Sequence, residues 1–169
     1  MPGRPGSHWA YAPDWHREQR VPRQGEEDKV ADNRTTVEQF LRAMAANDIE
    51  AQERLLSDDF VEEYPQSGER IRGKDNRRAI IENYPGGTPR ETSTANSDPI
   101  PDVIIGAGDR FAVAGQITYP NGETWHAVSL IELRDGKISK ITDYFGAPFE
   151  APAWRAPYVE KAATATKSR

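Results

Sequence analysis

Asp143, His126 and two tyrosines, Tyr64 and Tyr119, are the residues of this chain whose types suit proton transfer in a sheltered place. A carboxylate among Val128, Ile141 and Phe145 is desolvated, which raises its pKa, while an adjacent imidazolium lowers it again. The two groups would titrate as one unit. Such a pair can take an acidic proton from a small molecule that is part polar and part apolar. Tyr64 and Tyr119 can then donate hydrogen bonds to the oxygen on which charge develops. The competing reading of the same residues is a hydrogen-bonded strut in the sheet, with the tyrosines on a wet rim.

Two turn signals decide where these side chains point. Asn121-Gly122 and Asp135-Gly136 each separate strand-like runs and have the form of two-residue type I′ hairpins. Counting outward pairs Leu133 with Ile138, Val128 with Asp143, His126 with Phe145 and Ile117 with His126. One face of the meander then carries Phe111, Val113, Gly115, Ile117, Tyr119, His126, Val128, Leu130, Ile141, Asp143 and Phe145. That face is apolar apart from Tyr119, His126 and Asp143, so it is expected to be the concave wall of a pocket. The opposite face, with Ala112, Ala114, Gln116, Trp125, Ala127, Ser129 and Ile131, is too apolar for open water and is expected to make a homodimer.

The elements that must hold this wall come earlier. Thr35 and Glu38 form a capping box for a helix through Ala46, whose buried stripe is Val37, Phe40, Leu41, Met44 and Ala45. Asp48 caps a second short helix ending near Leu56. Phe60 to Tyr64 reads as a strand, and Pro65 to Gly68 as a turn. Gly73 and Asp75 open a third helix with Ile80, Ile81 and Tyr84, stopped by Pro85-Gly86-Gly87. The polar stretch Thr88 to Asp98 is ambiguous, and Ile100 to Ile105 reads as a strand held to an edge by Pro99 and Pro101. Pro148 to Arg155 contains one short helical turn. Helices followed by a run of antiparallel strands make an α+β fold. Residues 1–33 read as an irregular extension bearing Trp9, Tyr11 and Trp15, which can dock on the pocket or on a second copy. Residues 34–155 are the domain, and 156–169 a flexible tail.

Composition narrows the function classes. The 169 residues contain no cysteine, which excludes disulfides and thiol nucleophiles, and three histidines, two of them in the extension, leave no metal cluster. A net charge of -5 argues against nucleic acid as the main partner. No apolar run reaches the roughly 18 to 20 residues a membrane span needs, so a cytoplasmic protein is expected. Arg70, Arg72, Lys74, Arg77 and Arg78 read as a charged turn and helix face, and Gly106-Ala107-Gly108 as a turn. Glu62 alternates with Phe60 and Tyr64 and either points into the pocket or, with Glu63, forms a solvated edge.

Three segments carry a family resemblance: Val37-Glu38-Gln39-Phe40-Leu41 through Asp48, Asp58-Asp59-Phe60-Val61-Glu62-Glu63-Tyr64-Pro65, and Asp135-Gly136-Lys137-Ile138 through Asp143-Tyr144-Phe145. Together they resemble the SnoaL-like branch of the nuclear-transport-factor-2-like superfamily, over about Thr35 to Arg155. The resemblance implies a cone: a curved antiparallel sheet wrapped around N-terminal helices, as in steroid isomerases, polyketide cyclases and limonene-type epoxide hydrolases. The positions matching the steroid-isomerase machinery are Phe40, Tyr64 and Val128, all three different residues, which argues against that reaction. Asp143 matches the epoxide-hydrolase aspartate, but Val113 to Tyr119 lacks the Arg-x-Asp pair that goes with it. Cyclases of SnoaL type, relying on one aspartate with His or polar neighbours, fit better.

The expected activity is therefore isomerisation or cyclisation of a polyketide-like metabolite without a cofactor or metal, with Asp143, His126 and Tyr64 catalytic. Tyr119, Phe40, Glu62, Tyr84, Val128, Ile141, Phe145 and Trp154 are expected to line the substrate. Epoxide opening and non-catalytic ligand binding are the alternatives.

Overall fold

The computed structural model describes residues 24–88, 90–92 and 103–160. Among the described residues three helices, α1 (Gln24–Ala45), α2 (Ile49–Leu55) and α3 (Lys74–Glu82), are set among seven strands. These are β1 (Leu56–Tyr64), β2 (Glu69–Arg72), β3 (Arg90–Thr92), β4 (Val103–Ala107), β5 (Arg110–Thr118), β6 (Thr124–Arg134) and β7 (Lys137–Gly146). A 3-10 helix, Ala153–Tyr158, follows β7. The fold is α+β, with a curved, unclosed sheet in the order β2-β1-β7-β6-β5-β3 and β4 also on β5. The sheet is not wholly antiparallel, because β1 lies parallel to β7.

The stripe Val37, Phe40 and Leu41 of α1 is buried as its spacing requires, against Leu56, Phe60, Phe111, Ile131, Ile138 and Ile141. Asp48 caps α2 by accepting from Ala51 N at 2.9 Å. Helix α1 starts eleven residues before the capping-box Thr35, so the expected irregular extension is helical from Gln24 to Asn33. Past Pro22 no proline interrupts the stretch, and once a helix is nucleated each added residue costs little. The proposed docking of Trp9, Tyr11 and Trp15, the start of the Ile100 strand and the tail beyond Glu160 lie outside the described residues.

The meander differs from a simple count at two places, and both act on β6. The first turn holds three residues, Pro120, Asn121 and Gly122, with Tyr119 N donating to Glu123 O at 2.8 Å and Gly122 at φ 86°. This is the three-residue hairpin, a β-turn closed by a glycine in the left-handed region. The second turn is the expected two-residue one, with Asp135 at φ 52° and Gly136 at 74°. Two pairs on, however, the ladder slips from Leu133↔Ile138 to Glu132↔Lys140, leaving Ser139 as a bulge. A one-residue slip turns every later side chain over.

The inward residues of β5 and β7 are thus those expected, whereas β6 presents Trp125, Ala127, Ser129, Ile131 and Leu133 inward. His126, Val128 and Leu130 face out, and Val128 and Leu130 are 40% and 43% exposed.

Candidate functional site

Strand β1 brings Glu62 and Tyr64 to the concave side, while Glu63 between them points outward to Lys140 and Arg70. Parallel pairing sets Glu62 beside Ile141, and two residues further along β7 comes Asp143. Both carboxyls are buried, each 7% exposed. Asp143 Oδ1 accepts from the hydroxyl of Ser129, its partner across the β6–β7 ladder, and Glu62 lies within hydrogen-bonding reach. Glu62 Oε1 accepts from the Tyr64 hydroxyl at 2.9 Å, and Oε2 from Arg77 Nε at 3.1 Å. Tyr64 in turn sits against the Phe145 ring, with centroids 5.9 Å apart.

The electrostatics follow from this crowding. Burial above all, and then the charge of Glu62, push the Asp143 carboxyl well above the usual carboxylate range, while the Ser129 hydrogen bond pulls the other way. Two carboxyls in contact out of water cannot both ionise freely, which favours the protonated form of Asp143. Burial and the neighbouring Glu62 charge likewise raise the Tyr64 phenol, which stays a hydrogen-bond donor at neutral pH.

Burial along the inner face is graded. At the bulge end Phe111, Ile131, Leu133 and Ile138 are closed off, whereas Gly115, Ala127, Trp125, Tyr119 and Phe145 toward the first hairpin are half-buried. The cone therefore opens at that end. Its rim joins the α1–α2 turn, the loop after α3 and the hairpin tip. Thr88 Oγ1 donates to Asn47 Oδ1 at 3.2 Å, and a Cβ on Gly86 would lie 3.2 Å from Pro120. Tyr119 packs edge-on against Trp125 at 5.0 Å, with its phenol raised by burial and by Tyr84.

Two open grooves lie elsewhere. One of about 750 Å³ runs between β2 and α3, lined by Ile71, Ile80 and Tyr84, and neither Asp143 nor Glu62 reaches it. Another of about 420 Å³ lies over the β1–β2 turn, and Tyr64, which lines it, carries the contact inward to Glu62. The buried polar cluster identifies the site better than groove size does, because burying several polar groups is costly unless they are mutually satisfied.

Of the expected site residues, the structure brings together Asp143, Tyr64, Glu62, Ile141 and Phe145. Tyr119 and Tyr84 stand at the rim. His126 does not belong: it is exposed on the outer face opposite Gln116 and Gly146, so it has no route to Asp143. Val128 also faces out. Trp154, 71% exposed on the 3-10 helix, lines no wall of the cone. Phe40 is core, with the Arg77 guanidinium 5.3 Å above its ring.

Three members of the cluster were not singled out from sequence: Ser129, Gln52 and Arg77. Arg77 reads from the sequence as one of five basic residues on a charged turn and helix face, next to Arg78. Ser129 becomes visible only once the bulge is counted. Gln52 lies within a seven-residue helix, too short for periodicity to speak. Among the described residues no group of His, Cys, Asp and Glu is arranged to hold a metal ion.

A family model described as a SnoaL-like domain matches residues 37–141. An NTF-2 like protein of unknown function from Burkholderia xenovorans LB400 is 34% identical, with a TM-score of 0.63 over 81% of this chain and 98% of that one. A Kribbella flavida DSM 17836 protein named provisionally as a ketosteroid isomerase is 24% identical, at TM-score 0.67 over 81% and 94%. TerC, co-crystallised with polyporic acid, is 22% identical at TM-score 0.56 over 68% and 91%. At those identities the last two show likeness of fold alone. No curated protein matches the chain.

Proposed function

The chain belongs to the SnoaL-like family, and on that premise we propose that it is a cofactor-independent acid/base enzyme that isomerises or cyclises a part-polar, part-apolar small molecule within its cone. One observation carries the reading: Asp143 and Glu62, two buried carboxyls in contact, stand on the concave face with Tyr64 beside them. Structural neighbours named for ketosteroid isomerase and for a polyporic acid complex lend it support by analogy of fold.

In this reading Asp143 holds the shared proton and Glu62 accepts one from an acidic C–H of the substrate. The electron pair of that bond moves onto the carbonyl oxygen, which takes a hydrogen bond from Asp143. Return of the proton from Glu62 to another carbon gives the isomer; attack of the same carbanion on a second carbonyl gives a ring, with the Glu62 proton passing to the alkoxide oxygen so formed. Each route ends with Glu62 ionised and Asp143 protonated. Asp143→Asn and Glu62→Gln are expected to lower turnover by roughly 10²- to 10⁴-fold with the fold intact. His126→Ala should leave turnover near wild type. A panel of polyketide-like ketones, followed by chromatography and proton exchange from solvent deuterium, checks this. Ligands that bind but emerge unchanged with no exchange would indicate a carrier domain.

A second reading gains from the same cluster. Epoxide opening needs a second carboxylate beside Asp143, and Glu62 with Arg77 supplies one from β1 and α3. Glu62 would take a proton from water as its oxygen bonds to carbon, and Asp143 would protonate the departing epoxide oxygen. Labelled oxygen from water appearing in a diol product would select this reading.

We also propose that two copies pair through the outer sheet face. Its exposed apolar residues are Val103, Ile105, Val128, Leu130 and Tyr144, in place of the inward Trp125, Ala127, Ser129 and Ile131. Light scattering at micromolar concentration should give twice the chain mass, and Leu130→Glu half of that value. A monomer mass for wild type contradicts the pairing.

A further inference from the structure

Gln52 and Arg77 line neither of the two grooves, and each is almost completely buried, at 2% and 6% exposure. A buried guanidinium and a buried amide are expensive unless every donor is used. Here their donors and acceptors form a line of fixed order. The Gln52 amide NH₂ donates to the carbonyl of Ala43 in the last turn of α1, at 3.2 Å. Its Oε1 accepts from Arg77 Nη1 at 2.8 Å, and Arg77 Nε donates to Glu62 Oε2. The Phe40 ring below the guanidinium fixes its plane. Arg77 therefore uses two arms of a rigid fork, one for support and one for Glu62.

Glu62 in consequence has one oxygen held by Arg77 and the other by Tyr64, which leaves its remaining acceptor capacity for Asp143. We propose that Gln52 and Arg77 are positioning residues of this site, which clamp Glu62 in its ionised form and orientation so that the proton of the carboxyl pair resides on Asp143. The division into base and acid is thus set by α2 and α3, elements that carry neither carboxyl. Its catalytic meaning rests on the acid/base reading above, whereas the location of the proton does not.

A strut and a clamp predict different things. A strut affects stability only; a clamp decides which carboxyl titrates late. Side-chain carboxyl carbons of the full chain, labelled with carbon-13 at Asp and Glu, can be followed through pH by NMR and assigned by their loss in Asp143→Asn and Glu62→Gln. In Gln52→Leu the Arg77 fork loses its support, so the Asp143 midpoint should fall by about one pH unit and that of Glu62 rise correspondingly. Arg77→Lys keeps a cation there, but a single ammonium lacks the fork that serves Gln52 and Glu62 together, and the midpoints should move in the same directions. Unchanged midpoints in either folded variant would overturn the proposal. Because no substrate is present, failure to find turnover would count against the acid/base reading and not against the clamp.

Discussion

Asp143→Asn is expected to raise, not lower, the melting temperature at neutral pH. The folded pKa of Asp143 lies above its unfolded value, so the folded chain keeps a proton that the unfolded chain releases. The stability this group contributes is complete below its unfolded pKa of about 3.9 and is lost as pH rises from there toward the folded value. Across that window the slope approaches about 1.4 kcal/mol per pH unit. An asparagine has no proton to lose, and its amide can still accept from Ser129 and donate toward Glu62. Melts of wild type and variant should therefore nearly coincide at pH 3 to 4 and separate above it, with the variant higher. A variant that melts well below wild type at pH 7 would mean that Asp143 is ionised and acts as a strut.

Arg77→Met is expected to have the opposite effect, and a larger one. It removes one partner of a buried pair whose side chains are 8% and 10% exposed, stranding the Glu62 charge. Breaking such a pair costs roughly 3 to 5 kcal/mol, which in a domain of this size lowers the melting temperature by about 10 °C. Adding Glu62→Gln should recover part of the loss, since the stranded charge goes with it. Arg78→Met is the control, because Arg78 pairs with Glu50, Glu53 and Glu82 near the surface and its loss should change little. Equal losses for Arg77 and Arg78 would contradict the buried network.

Much of this architecture was legible in the residues. The stripe of α1, the Asp48 cap, the Asp135-Gly136 turn and the inward set of β5 and β7 follow from spacing and turn chemistry, and with them the burial of Asp143. The pairing of His126 with Asp143 did not survive, for a definite reason. An Asn-Gly pair fits a three-residue turn as well as a two-residue one, and nothing in Lys137-Ile138-Ser139-Lys140 announces a bulge. Each choice shifts β6 by one residue against its neighbour and so turns its side chains over, which puts Ser129 rather than His126 beside the carboxylate. Glu62 reads either as pocket-lining or as solvated edge, and Arg77 as part of a charged helix face. Each stands next to a charged residue that is solvated, Glu63 and Arg78, and local sequence alone does not tell which of two adjacent like charges turns inward. The parallel pairing of β1 with β7, which brings Glu62 to Asp143, is a contact between residues about 80 apart, beyond the reach of any local pattern.

The central claim is that Asp143 carries the proton of a carboxyl pair at neutral pH. Infrared difference spectroscopy between wild type and Asp143→Asn at pH 7 tests it without substrate or assignment of a reaction. The account predicts that wild type shows the carbonyl stretch of a protonated carboxylic acid and that the variant lacks it. A difference spectrum containing only carboxylate bands would show Asp143 ionised and would contradict the account.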